Sequence, residues 1–152
     1  MRVWRLDRAG RNPLDGIGGL HAGGRWNPKG TPIVYTSAHL ALAVLEKLVH
    51  VDPDLLPDNL VAFEIDVPDG HGRIEYLDPR QLPSDWREAP PPRSTQTIGA
   101  EWIRDRKRPG ALAVPSVVVP REWNILLNPA HPHAAAWKVT AQEPFRFDSR
   151  LV

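Results

Sequence analysis

The sequence predicts an α+β fold, one domain over residues 1–152 built on a mainly antiparallel sheet with helices packed against it. Three observations predict it. Short β-rich runs are interleaved with only two stretches of helical period. The 17 prolines divide the chain into brief elements, because proline removes a backbone donor and interrupts helix and sheet ladders alike. The 152 residues, 41% hydrophobic and 24% charged, have the length and composition of a globular chain with one buried core.

Arg2 to Leu6 alternates polar with apolar and reads as the first strand. Six of the 11 glycines then fall between Gly16 and Gly30, which predicts a loop, folded around Arg25 and Trp26. Pro32 to Thr36 is β-rich, and Ser37 reads as the N-cap of a helix from Ala38 to Val51. Its apolar positions Ala41, Leu42, Leu45, Leu48 and Val49 form a stripe expected to be buried, with His39, Glu46 and His50 along one edge. Leu60 to Val67 and Arg73 to Leu77, separated by Pro68-Asp69-Gly70, predict a hairpin. Pro79 to Pro92 reads as irregular, and Ser94 as the cap of a second helix reaching Lys107. Ala111 to Pro120 and Trp137 to Phe147 are the last β-rich runs, joined by a turn-rich connector from Arg121 to Pro132.

Composition also excludes. Without cysteine there is no disulfide, thiolate metal site or thiol nucleophile, which fits a cytoplasmic protein. The charged N-terminus, Met1 to Arg8, lacks the apolar run of a signal peptide, and no stretch approaches the ~20 apolar residues that span a bilayer. A net charge of +1 gives no field for a nucleic-acid backbone, and the basic run Arg104 to Arg108 reads as a solvated helix end. Phosphate-loop, zincin and serine-hydrolase signatures are absent. His131-Pro132-His133 lacks a spaced third ligand and reads as a turn, so no metal is expected.

What remains is a set of polar residues at element ends: Arg25, Tyr35, Glu46 and Ser116. Each alone has an ordinary structural reading as surface charge, core tyrosine, solvated helix carboxylate or turn serine. With their flanks they carry a pattern. The stretches are Gly23-Gly24-Arg25-Trp26-Asn27-Pro28-Lys29-Gly30, Val34-Tyr35-Thr36-Ser37, Leu45-Glu46, and the run from Pro115 to Pro132 that contains Ser116, Asn124 and Asn128. In this ordered combination the chain resembles the RES-domain toxins, a family named for its Arg, Glu and Ser.

The resemblance implies a fold like that of ADP-ribosyltransferase toxins, NAD as the substrate consumed, and a cognate Xre-type helix-turn-helix antitoxin. That antitoxin would supply the DNA binding and cover the NAD site, with room for a homodimer inside a larger toxin–antitoxin complex. Glu46, Arg25, Tyr35 and Ser116 are then the catalytic candidates. Gly24, Trp26, Lys29 and Asn124 join Arg25, Tyr35 and Ser116 as candidates for holding NAD, and His50, Thr36, Ser37 and Asn128 form a second tier.

The residue types suit that substrate. A guanidinium such as Arg25 pairs bidentately with diphosphate oxygens. Tyr35 offers a flat ring for nicotinamide or its ribose. Nicotinamide leaves neutral from a cationic ring and needs no general acid, so Glu46 can suffice by binding the ribose hydroxyl and opposing oxocarbenium charge. Ser116 is expected to orient the nicotinamide amide or a phosphate. His50 has two readings, tuning Glu46 or an acceptor on the one hand and a solvated helix residue on the other. Trp26 and Lys29 read as mouth-lining residues or as packing and solvation of the loop. Asn124 and Asn128 read as pocket groups or as turn and capping residues. Three functions fit: NAD cleavage with water or phosphate as acceptor, ADP-ribosyl transfer to a protein, and a non-catalytic module that holds a nucleotide or partner.

Overall fold

The computed structural model describes residues 1–52 and 55–151. Its elements are β1 (Arg2–Arg8), α1 (Ile17–His21), β2 (Val34–Ser37), α2 (Leu40–Leu48), β3 (Leu60–Asp66), β4 (Ile74–Tyr76), α3 (Arg93–Arg104), β5 (Ala111–Pro115), β6 (Trp123–Leu127) and β7 (Lys138–Phe145), with 3-10 turns at Pro79–Gln81 and Pro132–Ala136. All seven strands form one sheet in the order β4-β5-β6-β2-β1-β3-β7. Every pairing is antiparallel except β4 with β5. The α+β class is therefore as expected, and no described helix is long and apolar enough to cross a membrane.

Alternation along the central strands divides the core in two. Val3, Val34, Phe63, Ile65, Ala111, Ala113, Ile125 and Leu127 pack on one face. Leu112, Val114 and Leu126 pack on the other with Ile33, Trp26, Trp86 and Trp102, and Tyr35 lies against them. Successive strand side chains point to opposite faces, so this partition fixes which polar residues share a surface.

Several expectations need correction. The strand Trp123–Leu127 lies within what reads as a turn-rich connector, yet it is an interior strand of the sheet, pairing with both β2 and β5. Its Ile-Leu-Leu run is buried on both faces, so it shows no alternation, and the asparagines and prolines around it give the stretch its turn-like composition. The expected hairpin of β3 and β4 does not form. β4 instead runs parallel to β5 at the far end of the sheet, with α3 inside the crossover that parallel strands require. The glycine-rich loop contains the short helix α1, which Gly19 lets sit on Ile33: a Cβ there would come 2.3 Å from the Thr31 carbonyl oxygen. Neither expected cap operates. Ser37 ends β2, His39 holds the N-cap position of α2, and the Ser94 hydroxyl donates to Asp85 Oδ1 at 2.7 Å.

The apolar stripe of α2 is only partly buried. Leu42 and Ala43 face inward, whereas Leu45 is 37% and Val49 57% exposed. The helix packs on β1 and β2, and the side of the stripe that carries Ala41, Leu45 and Val49 faces outward.

The other helix, α3, is drawn tightly against the glycine-rich loop. A Cβ on Gly99 would meet the Trp26 carbonyl oxygen at 1.7 Å, a contact with rigid backbone. Its C-terminal end is clasped by the segment after β6. Asn128 Nδ2 donates to the Ile103 carbonyl, and the buried His131 bonds the Arg106 carbonyl through Nε2 while its Nδ1 accepts from the His133 amide. His133 Nδ1 in turn accepts from the Gly110 amide, with the two rings edge to face at 4.3 Å. Among the described residues no group of three or more His, Asp or Glu is placed to hold a metal.

Two outcomes are expected. Gly99→Ala forces the loop off α3 and destabilises the protein by about 1–3 kcal/mol, the range for overpacking, measured by denaturant unfolding. Burial, with the charges of His131 and Arg73, holds the His133 pKa below its ordinary 6.5, so the fold favours the neutral ring. Its contribution to stability is complete above 6.5 and is lost as pH falls through the folded-state value. Melting temperature should therefore drop between pH 7 and pH 5, and His133→Asn should flatten part of that slope.

Candidate active site

The pairing of β2 with β6 sets Tyr35 opposite Leu126 and Ser37 opposite Asn124, while β5 sets Val114 opposite Asn124. Tyr35, Ser37 and Asn124 therefore share the face of the tryptophan-rich core, and Ser116 continues the same row two residues beyond Val114. Glu46 reaches this row from α2. Its Oε1 accepts from Ser116 Oγ at 2.7 Å and from Asn124 Nδ2 at 2.6 Å. Asn124 is itself oriented, since its Oδ1 accepts from Ser37 Oγ at 2.7 Å. Both donors reach the same carboxylate oxygen, so Oε2 has no protein donor among the described residues.

Arg25 sits on the glycine loop, where its Nη1 donates to the carbonyls of Trp86 at 2.6 Å and Glu88 at 2.9 Å. Those two bonds pin the proline-rich segment between the 3-10 turn and α3 beside the site. The remaining guanidinium donors, on Nε and Nη2, engage no acceptor among the described residues. Burial pulls the Arg25 pKa below its ordinary value, while the charge of Glu46 opposes that shift. Glu46 is thus near enough to act electrostatically on Arg25, and among the described residues no ion pair joins the two. The result is a cation and an anion in one region, each with its outward donors or acceptor open.

Tyr35 is half-buried, and its hydroxyl is engaged on both sides: it accepts from the Trp26 amide at 3.0 Å and donates to Asn27 Oδ1 at 2.7 Å. Burial raises its pKa, so it acts as a neutral phenol. Gly24 is small for this tyrosine's sake, since a Cβ would lie 2.7 Å from the Tyr35 hydroxyl.

Other candidates fall elsewhere. Ser116 is fully buried; its oxygen also accepts from the Val119 amide at 2.9 Å, so it holds Glu46 and has no surface to offer nicotinamide. Trp26 is core, packed under α3, and lines no mouth. Thr36 points to the opposite face, bonding the Ile125 carbonyl. Asn128 lies at the far end of β6, ~13 Å along the strand from Asn124, within the clasp on α3. His50 and Lys29 are exposed, and His50 falls beyond the last residue of α2. Sequence reasoning missed Asn27, which is 1% exposed and central to the loop, and Gln96, whose Nε2 donates to the Gly24 carbonyl at 3.0 Å. It also missed the contact of His39 with Glu122, which ties the start of α2 to the segment before β6. Only the position of Asn27 inside the quoted Gly23–Gly30 stretch hinted at its importance.

A guanidinium and a carboxylate, each held from behind by polar side chains or backbone, thus lie in one region beside the sheet. The chain belongs to the RES-domain family, which it matches over residues 2–148. It is 38% identical over 154 residues to the Prs ADP-ribosylating toxin of Sphingobium sp. (strain YBL2), covering 98% of this chain and 95% of that protein. It is 39% identical over 155 residues to Toxin Res of Photorhabdus laumondii subsp. laumondii, covering 100% and 97%. Among solved structures it is similar to the M. tuberculosis MbcT-MbcA toxin-antitoxin complex, with TM-score 0.73 and 17% identity over 95% of this chain and 83% of that one.

Removing the Ser116 hydroxyl orphans the Val119 amide and takes one donor from Glu46. Ser116→Ala should therefore cost about 1–3 kcal/mol in denaturant unfolding, the range for an unsatisfied buried polar group.

Proposed function

We propose that this chain is the toxin of a toxin–antitoxin pair and that it cleaves the nicotinamide–ribose bond of NAD, depleting the dinucleotide and arresting growth. The observation that carries this reading is the half-engaged pair: Glu46 with Oε2 open, and Arg25 with Nε and Nη2 open, electrostatically coupled without touching. Such a pair suits a ligand with an anionic diphosphate at one end and developing positive charge at the other.

In this reading Arg25 takes diphosphate oxygens through the donors that the loop carbonyls leave free. Glu46 Oε2 accepts the ribose hydroxyl and faces the anomeric carbon. As the glycosidic bond breaks, its electron pair leaves with nicotinamide, which departs neutral, and the ribosyl ring acquires oxocarbenium character. A carboxylate already fixed through Oε1 by Ser116 and Asn124 stabilises that charge without first reorganising. Water or inorganic phosphate then attacks the sugar, giving ADP-ribose or its phosphorylated form. Asn124 and Ser116 act by holding Glu46, and Tyr35 acts by holding the loop that bears Arg25.

A second reading, transfer of ADP-ribose to a protein, shares the cleavage step and differs only in the nucleophile. The name of the Sphingobium relative, an ADP-ribosylating toxin, favours it. On either reading an antitoxin of the Xre type covers the site. The exposed Leu45, on the same helix as Glu46, and Val49, at that helix's C-cap, offer such a partner apolar surface.

Purified protein given NAD should release nicotinamide. Phosphate dependence would assign phosphorolysis, and label moving from NAD onto protein would assign transfer. Glu46→Gln should slow release by about 10²–10³-fold, as for loss of one preorganised electrostatic group, and abolish growth arrest when expressed without antitoxin. Unchanged release in that variant would reject the proposed role of Glu46.

A further inference from the structure

We propose that Asn27 and Ser37 are positioning residues for separate parts of the site, Asn27 governing substrate affinity through Arg25 and Ser37 governing the chemical step through Glu46. This rests on the NAD-cleaving reading above and deepens it.

The argument for Asn27 begins with proton direction. The Tyr35 hydroxyl accepts from the Trp26 amide, so its own proton goes to Asn27 Oδ1. That fixes the Asn27 amide, whose Nδ2 then donates to the carbonyls of Pro28 at 3.1 Å, Ala22 at 3.4 Å and Gly19 at 3.5 Å. By holding the hydroxyl that receives the Trp26 amide, Asn27 steadies the peptide after Arg25, and the peptide before it is held as well. Gly24 donates its amide to the Asn27 carbonyl at 2.9 Å and receives Gln96 on its own carbonyl, while the Trp26 amide is on Tyr35. At 1% exposure Asn27 touches no ligand and acts only by fixing where the Arg25 side chain starts. Diphosphate lies away from the reacting bond and is bound alike in ground and transition states, so a displaced Arg25 raises KM more than it lowers kcat.

Ser37 stands two residues along the same strand face and serves the other group. Its hydroxyl on Asn124 Oδ1 keeps Nδ2 turned to Glu46; an unheld amide can flip and set an oxygen against the carboxylate. The interaction disturbed is the one that strengthens in the transition state, so kcat falls and KM changes little.

The test combines kinetics with hydrogen exchange by NMR on the free protein. Asn27→Ala, and the milder Tyr35→Phe, should raise KM for NAD about five- to tenfold, the worth of one net hydrogen bond, with kcat within twofold and faster exchange at the Trp26 amide. Ser37→Ala should lower kcat about five- to tenfold with KM retained and faster exchange of the Asn124 side-chain amide, and Ser37→Thr should restore both. Equal shifts of KM and kcat in both sets would indicate general loosening and overturn the proposal, as would exchange rates like those of the wild type. Should the wild type release no nicotinamide, the function reading fails, and the exchange measurements still decide whether Asn27 and Ser37 hold these groups.

Discussion

The register of β2 against β6 is the constraint on which the site depends. With Tyr35 opposite Leu126 and Ser37 opposite Asn124, the strand presents these two side chains on the face where Glu46 and Arg25 arrive. A slip of one residue would turn Val34 and Thr36 to that face and bury Tyr35 and Ser37 in the aliphatic core. The register is held by the apolar alternation itself, since Val34 and Ile125 belong to one core and Leu126 to the other. It is held also from β1, where Arg5 donates to the Tyr35 carbonyl at 3.2 Å. Burial alone would raise the pKa of the neighbouring Asp7, but Arg5 lowers it, so Asp7 stays ionised and keeps the guanidinium in place.

From that strand the two charged groups are supported by different materials. Glu46 is held by side-chain hydroxyl and amide groups rooted in β2, β6 and the end of β5, all parts of the sheet. Arg25 is held by a loop whose shape comes from backbone hydrogen bonds, one buried asparagine and the close approach of α3 at Gly99. On the proposed reading, a rigid carboxylate would meet the charge at the reacting carbon without reorganisation, while a loop-borne cation need only grip the distant phosphates.

The class of fold was legible in the chain, as was the choice of Arg25, Tyr35, Glu46 and Asn124 as candidates, because strand alternation, helix period and the quoted stretches are local properties. Long-range pairing was less so. β6 shows no alternation, since both of its faces are buried, and β4 and β3 look like hairpin partners because only a turn signal separates them. The inward positions of α2 were misjudged for a related reason: an amphipathic stripe tells which side is apolar, not how wide a strip the sheet offers to cover it.

By itself, then, the sequence determined which guanidinium, carboxylate and hydroxyl groups were candidates for a site, and that strands would carry some of them. Only the tertiary structure decided what each touches. Ser116 looks like a ligand-binding group until its buried hydroxyl is seen engaged with Glu46 and the Val119 amide, and only the fold shows that Trp26 and Asn27 are what hold the Tyr35 hydroxyl. Thr36 and Asn128 look equivalent to their neighbours until the pleat and the clasp on α3 carry them elsewhere. A hydrogen bond between residues tens of positions apart depends on the closing of the whole sheet, and no local pattern of residues encodes it.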